Sequence, residues 1–293
     1  MKKRILFGCL LLVFVAGFVA LRFVDPVFFD LFVFLITCLA VYELQKAARA
    51  KSLPFHDFLV MLFPAIVWAC YFFSSTPQQA LVFQVLALLV FFLVCMAMEI
   101  IFQRTAKTEN SNQTPLLDGT FRTLSFLVYP TMLIGTLYGI NQLGVSTGFV
   151  GLLLVFLVAA CTDTFAFAFG IAIKGKKLCP KISPNKVVSG LVAGIVGGLV
   201  ASLSMMWIFR FSNVFHSSVS DLSSASAVVL FLLAGAFGSI ATQFGDLLES
   251  ALKRRYQIKD FSNIIPGHGG VLDRMDGQMF CSTLVFVLFL IFL

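Results

Sequence analysis

The chain is 293 residues long, 59% hydrophobic and only 12% charged, with a mean hydropathy of +0.98. Soluble domains carry about 25% charged residues, so this composition excludes a chain whose whole surface faces water. The formal net charge of +7 is compatible with nucleic-acid binding, but its placement along the chain points to a membrane.

A helix needs about 20 apolar residues to cross the hydrocarbon layer. Nine such runs are expected, at 5–24, 26–45, 57–74, 80–102, 123–142, 148–173, 187–208, 226–245 and 278–293. None alternates with period two, which favours an all-α polytopic membrane protein over a barrel. Segments 1–4, 46–56, 103–122, 174–186 and 246–277 hold 19 of the 21 Lys and Arg residues, leaving only Arg22 and Arg210 in the opposite set. The positive-inside rule then predicts a cytosolic N-terminus and an outside C-terminus. A miscounted helix would scramble that alternation, and a basic nucleic-acid face has no place in it.

Met1-Lys2-Lys3-Arg4 before an apolar run resembles a signal peptide. The run is long and lacks a small-x-small cleavage site, so a retained first helix is expected. Four plain helices fill residues 1–122, with 103–122 read as a flexible loop and Glu43 and Glu99 near cytosolic helix ends. Long side chains in such places snorkel to the interface, or they support a polar cavity. Six of the seven cysteines fall inside expected spans without a CxxC, and read as packing residues rather than zinc or disulfide sites.

Residues 123–293 form the second expected unit, a five-span catalytic bundle. Asp163 falls about 15 Å into its span at 1.5 Å per residue, where a carboxylate costs about 3 kcal/mol unless it meets a wet cavity or a partner. The loop 174–186 holds five lysines and ends in Ser183-Pro184-Asn185-Lys186 before the next helix. A helix N-terminus beside an ammonium favours a phosphate. Gly190, Gly194, Gly198 and, further on, Ala234, Gly238, Ala241 and Gly245 make small-residue stripes for close helix contact.

Segment 246–277 concentrates the chemistry, with five acids and five bases between two apolar helices. Asp246, Glu249, Ser250 and Lys253 share one helical face, as do Asp273 and Asp276 at the start of the next helix. Pro266-Gly267-His268-Gly269-Gly270 between them is a turn able to bring both carboxylate groups together. Oxygen ligands in this number suit Mg²⁺, and the interleaved cations suit phosphates. His268 reads equally as an acid/base group and as a turn or phosphate contact.

The run Ser250, Lys253-Arg254, Lys259-Asp260, Pro266-Gly267-His268-Gly269-Gly270, Asp273-Arg274-Met275-Asp276 resembles the signature of phosphatidate cytidylyltransferases, the CDP-diacylglycerol synthases. Asp163-Thr-Phe-Ala-Phe and Ser183-Pro-Asn-Lys186 are similar to weaker elements of that family. Where the family usually reads Ser-Pro-Lys-Lys-Thr and then Glu-Gly, this chain has Asn185, Val187 and Ser189-Gly190. The resemblance implies transfer of CMP from CTP to phosphatidate in the bilayer, with Mg²⁺ and a second cation as candidate cofactors. It also fits a homodimer in a bacterial inner membrane, with the site facing the cytosol. By the same resemblance Asp246, Asp273 and Asp276 hold metal and, with Lys253, carry catalysis. Lys186, Ser183, Ser250, Arg254, Lys259, His268 and Arg274 contact substrate, and Asp163 shapes the cavity. The rival readings are a related membrane cytidylyltransferase or lipid kinase acting on another lipid phosphate or polyprenyl alcohol, a cation transporter built on Asp163, and an inactive scaffold.

Overall fold

A computed structural model describes residues 13, 15–106, 118–211, 218–265 and 269–293. Among them seven helices are long and apolar enough to cross a membrane. Residues 15–21 are helical and lead into α1 (Pro26–Arg49), α2 (Asp57–Phe72) and α3 (Pro77–Ala106). Next come α4 (Asp118–Phe126), a π-helical turn (Leu127–Met132) and α5 (Leu133–Asn141), which form one crossing, Asp118–Asn141. The chain continues with α6 (Val145–Ile173), strands β1 (Lys177–Cys179) and β2 (Ser183–Val187), α7 (Val188–Phe211), the single turn α8 (Ser218–Asp221), α9 (Ser224–Tyr256) and α10 (Leu272–Phe292).

Local chemistry explains the helix ends. Asp25 accepts from the Val27 amide at 2.9 Å with Pro26 at the first helical position, and Ser223 accepts from the Ser226 amide at 3.1 Å, two ordinary N-caps. Pro130 interrupts the crossing at Tyr129, whose φ/ψ of −111°/116° is non-helical. Arg22 is fully buried and caps the far end of α5, donating to the Gly144 carbonyl at 2.7 Å and to Asn141 and Val145. Asn141 in turn donates to Asp30 at 2.8 Å.

The opposite end gathers the polar connections. Lys51 Nζ donates to Gln257 Oε1 at 2.6 Å, Arg254 Nε to the Ile182 carbonyl at 3.3 Å, and the His56 amide to Thr123 Oγ1 at 2.9 Å. Segments 46–56, 174–186 and 246–277 therefore meet at this end.

Two features differ from the sequence reading. The loop 174–186 contains an antiparallel hairpin, pairing Lys177 with Val187 and Cys179 with Ser183. Helix α9, by contrast, runs 33 residues and carries the acidic face on a continuation of the span beyond residue 245, as the sequence led one to expect. Glu43 and Glu99 do not snorkel: both are buried, Glu43 completely, and each accepts backbone amides at the start of another helix. Those amides have no partner inside their own helices, which is why a carboxylate stays there. Residues 5–12 and 14 of the span 5–24, and the whole of segment 107–117, lie outside the described residues. Residue 122, the expected division between the two units, falls within α4.

The small-residue stripes do pack. A Cβ at Gly190 would lie 2.8 Å from the Ala166 carbonyl oxygen, and one at Gly198 3.0 Å from that of Gly235. Helices α6, α7, α9 and α10 form one bundle, with α10 also touching α5 and α1.

Candidate functional site

Two helices bring the acids together. Asp246 and Glu249 lie three residues apart on α9, so they share a face. Gly245 lets α10 approach so closely that a Cβ there would overlap the Asp276 carbonyl, and a Cβ at Gly277 would lie 2.6 Å from Thr242. Across this notch one carboxylate oxygen from each of Asp246, Glu249 and Asp276 lies within 4.8 Å of the others.

Asp246 also faces a cleft of about 500 Å³. Asp163, Asn185, Lys186, Gly190 and Gln243 make its polar wall, and Phe167, Ile171, Leu178 and Leu191 its apolar one. Lys186, at the end of β2, forms an ion pair with Asp246 at 2.5 Å. Lys186 Nζ makes no aligned hydrogen bond, so the contact is a charge pairing. Lys253, one turn after Glu249, bridges Glu249 Oε2 at 2.6 Å and Asp273 Oδ1 at 3.2 Å.

Three carboxylates held this close repel one another, and two lysines offset only part of that charge. Glu249 is 1% exposed, with the Asp273 carboxylate as well as Lys253 beside it, and its Oε1 accepts from no donor. Buried acceptors are rarely left so. Tyr129 Oη is likewise buried and unpartnered, within electrostatic reach of Glu249 and Asp276. A hard divalent cation with its waters is the group that such a donor set fits, since Mg²⁺ takes a few carboxylates and keeps several waters.

Asp273 has a different setting. It is 6% exposed, and its Oδ2 accepts from the Gly270 amide at 2.7 Å and the Phe261 amide at 3.1 Å. With Lys253 on Oδ1, both of its oxygens are engaged within the protein. The other expected residues divide similarly. Asp163, Lys186 and Asp246 meet in the cleft. Ser250 is half-buried on α9, and Ser183 half-buried at the start of β2. Arg254 is exposed and holds the hairpin through Ile182, while Lys259 and Arg274 are exposed. His268 lies outside the described residues. Ser189, which replaces the family's usual acid, donates from Oγ to the Lys174 carbonyl at 2.5 Å and fastens the base of the hairpin.

Glu249 had a readable signal, its shared face with Asp246. Tyr129 had only a Tyr-Pro step inside an apolar run, and Glu43 only an acid near a helix end.

A family model described as "Cytidylyltransferase family" matches residues 2–292. The phosphatidate cytidylyltransferase of Bacillus subtilis is 29% identical over 305 aligned positions, covering 100% of this chain and 98% of that protein. Those of Staphylococcus saprophyticus and Staphylococcus haemolyticus are 39% and 37% identical over 143 and 144 positions, 49% of this chain and 50% of each relative.

Proposed function

The chain belongs to the cytidylyltransferase family, and on that premise we propose how its cleft makes CDP-diacylglycerol. The reaction transfers CMP from CTP to phosphatidate. A phosphate oxygen of the lipid attacks the α-phosphorus of CTP, a new P–O–P bond forms, and the bond to the β-phosphate breaks to release pyrophosphate. The attacking oxygen is already ionised at neutral pH, so no strong general base is required. Two polyanions must instead be brought into contact, and that is an electrostatic task.

The observation that carries this reading is the trio Asp246, Glu249 and Asp276, which shares Asp246 with a cleft that Lys186 borders. Asp246, Glu249 and Asp276 are the residues that would hold Mg²⁺, and that ion would supply charge neutralisation at the α-phosphate and the departing pyrophosphate. Lys186, now paired with Asp246, is placed to exchange that carboxylate for a substrate phosphate. Lys253 holds Glu249 and Asp273 in register. Phe167 and Ile171 are 72% and 60% exposed beside the polar wall, a surface suited to acyl chains that remain in the bilayer while the headgroup enters the cleft.

The mouth of this cleft faces the cytosol in our reading, because the basic segments gather at its end of the bundle. Counting the run 5–24 and the 16-residue α2 as crossings gives nine, with the C-terminus outside. Purified protein in detergent, given CTP, phosphatidate and Mg²⁺, is expected to yield a CMP-lipid and pyrophosphate. Product formed only with a lipid alcohol and a nucleoside triphosphate as phosphoryl donor would establish a lipid kinase instead.

A further inference from the structure

The turn at residues 269–272 is gripped from two sides. Asp273, on α10 itself, accepts the Gly270 amide. Glu43, on α1 and more than two hundred residues away, takes the rest. Its Oε1 accepts from Ser262 Oγ at 2.5 Å and the Val271 amide at 3.0 Å, and its Oε2 accepts from the Leu272 amide at 2.8 Å. Glu43 has no exposed surface.

Both glycines of the turn are required by this grip. A Cβ at Gly269, where φ is +83°, would lie 2.7 Å from Asp273 Oδ2, and one at Gly270 would lie 2.5 Å from Glu43 Oε2. Glu43 thus satisfies the orphan amides that open α10, where a carboxylate also meets the positive end of the helix dipole. Charge-assisted bonds of this kind are roughly twice as strong as neutral ones. Asp276 lies one turn further along the same helix.

We propose that Glu43 is a positioning residue for the reaction: by fixing the first turn of α10 it sets the approach of Asp276 to Asp246 and Glu249. This rests on the reading of those three carboxylates as a divalent-cation site. On it, the N-terminal helices complete the geometry of the site in addition to anchoring the chain.

Glu43→Gln is nearly the same size, but its NH₂ group must face either the Leu272 amide or the Val271 amide and Ser262 hydroxyl, setting a donor against a donor. Glu99→Gln is the matched control. Glu99 makes the same kind of cap, accepting the Thr120 amide at 2.7 Å and its hydroxyl at 2.6 Å, at the start of α4, which contributes none of the three carboxylates. Both variants, as full chains in detergent, are titrated with Mn²⁺ by electron paramagnetic resonance without nucleotide and assayed for turnover with Mg²⁺. Glu43 touches none of the three carboxylates and acts through the helix backbone, so its effect falls at the low end of the about 10–100-fold known for groups bonded directly to a metal ligand. Glu43→Gln is therefore expected to raise the Mn²⁺ dissociation constant and lower kcat about tenfold, while KM for CTP stays within about twofold. Glu99→Gln is expected to lower thermal stability alone.

Wild-type Mn²⁺ affinity and kcat in folded Glu43→Gln, or equal losses in Glu99→Gln, would overturn the proposal. If Glu43→Gln does not fold, Ser262→Ala removes a single contact, and an unchanged Mn²⁺ affinity and kcat there would overturn it as well. If the wild-type chain binds no Mn²⁺, the cation reading fails by itself, and the kcat comparison between the two glutamine variants decides the role of Glu43.

Discussion

Asp273 and Asp276 stand one helical turn apart at the start of α10, yet their surroundings are opposite. Around Asp273 the region is closed: two backbone amides and a lysine meet its carboxylate, and little of it is exposed. Around Asp276 the setting differs: apart from the Gly277 amide, which donates to its Oδ1 at 2.8 Å, the neighbours are two further carboxylates, one of them with an oxygen that accepts from no donor. Satisfied polar networks rigidify a fold, whereas unsatisfied ones are where a bound group completes the structure. On the proposed reading, the difference gives a structural task to the first aspartate, which the sequence had placed among the metal ligands, and a chemical one to the second.

That division can be broken by substitution. The largest effect is expected from Asp276→Asn or Asp246→Asn, which removes charge from the acidic cluster. Turnover should fall at least about a hundredfold, close to 3 kcal/mol of transition-state stabilisation, with the melting temperature of the detergent-solubilised protein held or raised. Asp273→Asn should reverse the pattern in part. It leaves Lys253 with Glu249 alone and weakens the turn, so the melting temperature should drop, consistent with a loss of about 2 kcal/mol for hydrogen bonds to a charged group, and activity should fall with it. Equal stability in the Asp273 and Asp276 variants would erase the distinction.

A smaller effect is expected of Arg254→Ala. Its guanidinium is exposed and bonds the hairpin carbonyl of Ile182, so releasing it should raise KM for CTP a few-fold, near 1 kcal/mol, and leave kcat intact. The smallest belongs to Ser189→Ala, which loosens only the base of the hairpin. Turnover within about twofold of wild type is expected for a single neutral hydrogen bond. A loss comparable to that of Asp276→Asn would instead place Ser189 among the reacting groups.

Much of this was legible in the sequence, and the exceptions have physical causes. Apolar runs and the placement of lysines announce a membrane bundle, because hydrocarbon leaves no alternative for backbone polar groups. The spacing of Asp246 and Glu249 announces a shared acidic face. Spacing does not distinguish Asp273 from Asp276, since both lie in the first turns of α10. The helix start itself decides: Asp273, second in the helix, bends back onto the amide of Gly270, while Asp276 lies a turn inward, against α9. The hairpin at 177–187 was hidden because its strands are three and five residues long, too short to show a period-two alternation. Glu43 was hidden because its partners are more than two hundred residues away, and no local pattern records a contact at that distance.

The central claim is tested most directly by locating the cation. Anomalous diffraction from crystals grown with Mn²⁺ should show a peak about 2.1 Å, the usual distance for an octahedral hard cation, from carboxylate oxygens of Asp246, Glu249 and Asp276, with Asp273 still bound to Lys253. A peak coordinated by Asp273 with Glu249 turned away, or no peak between α9 and α10, would contradict the account.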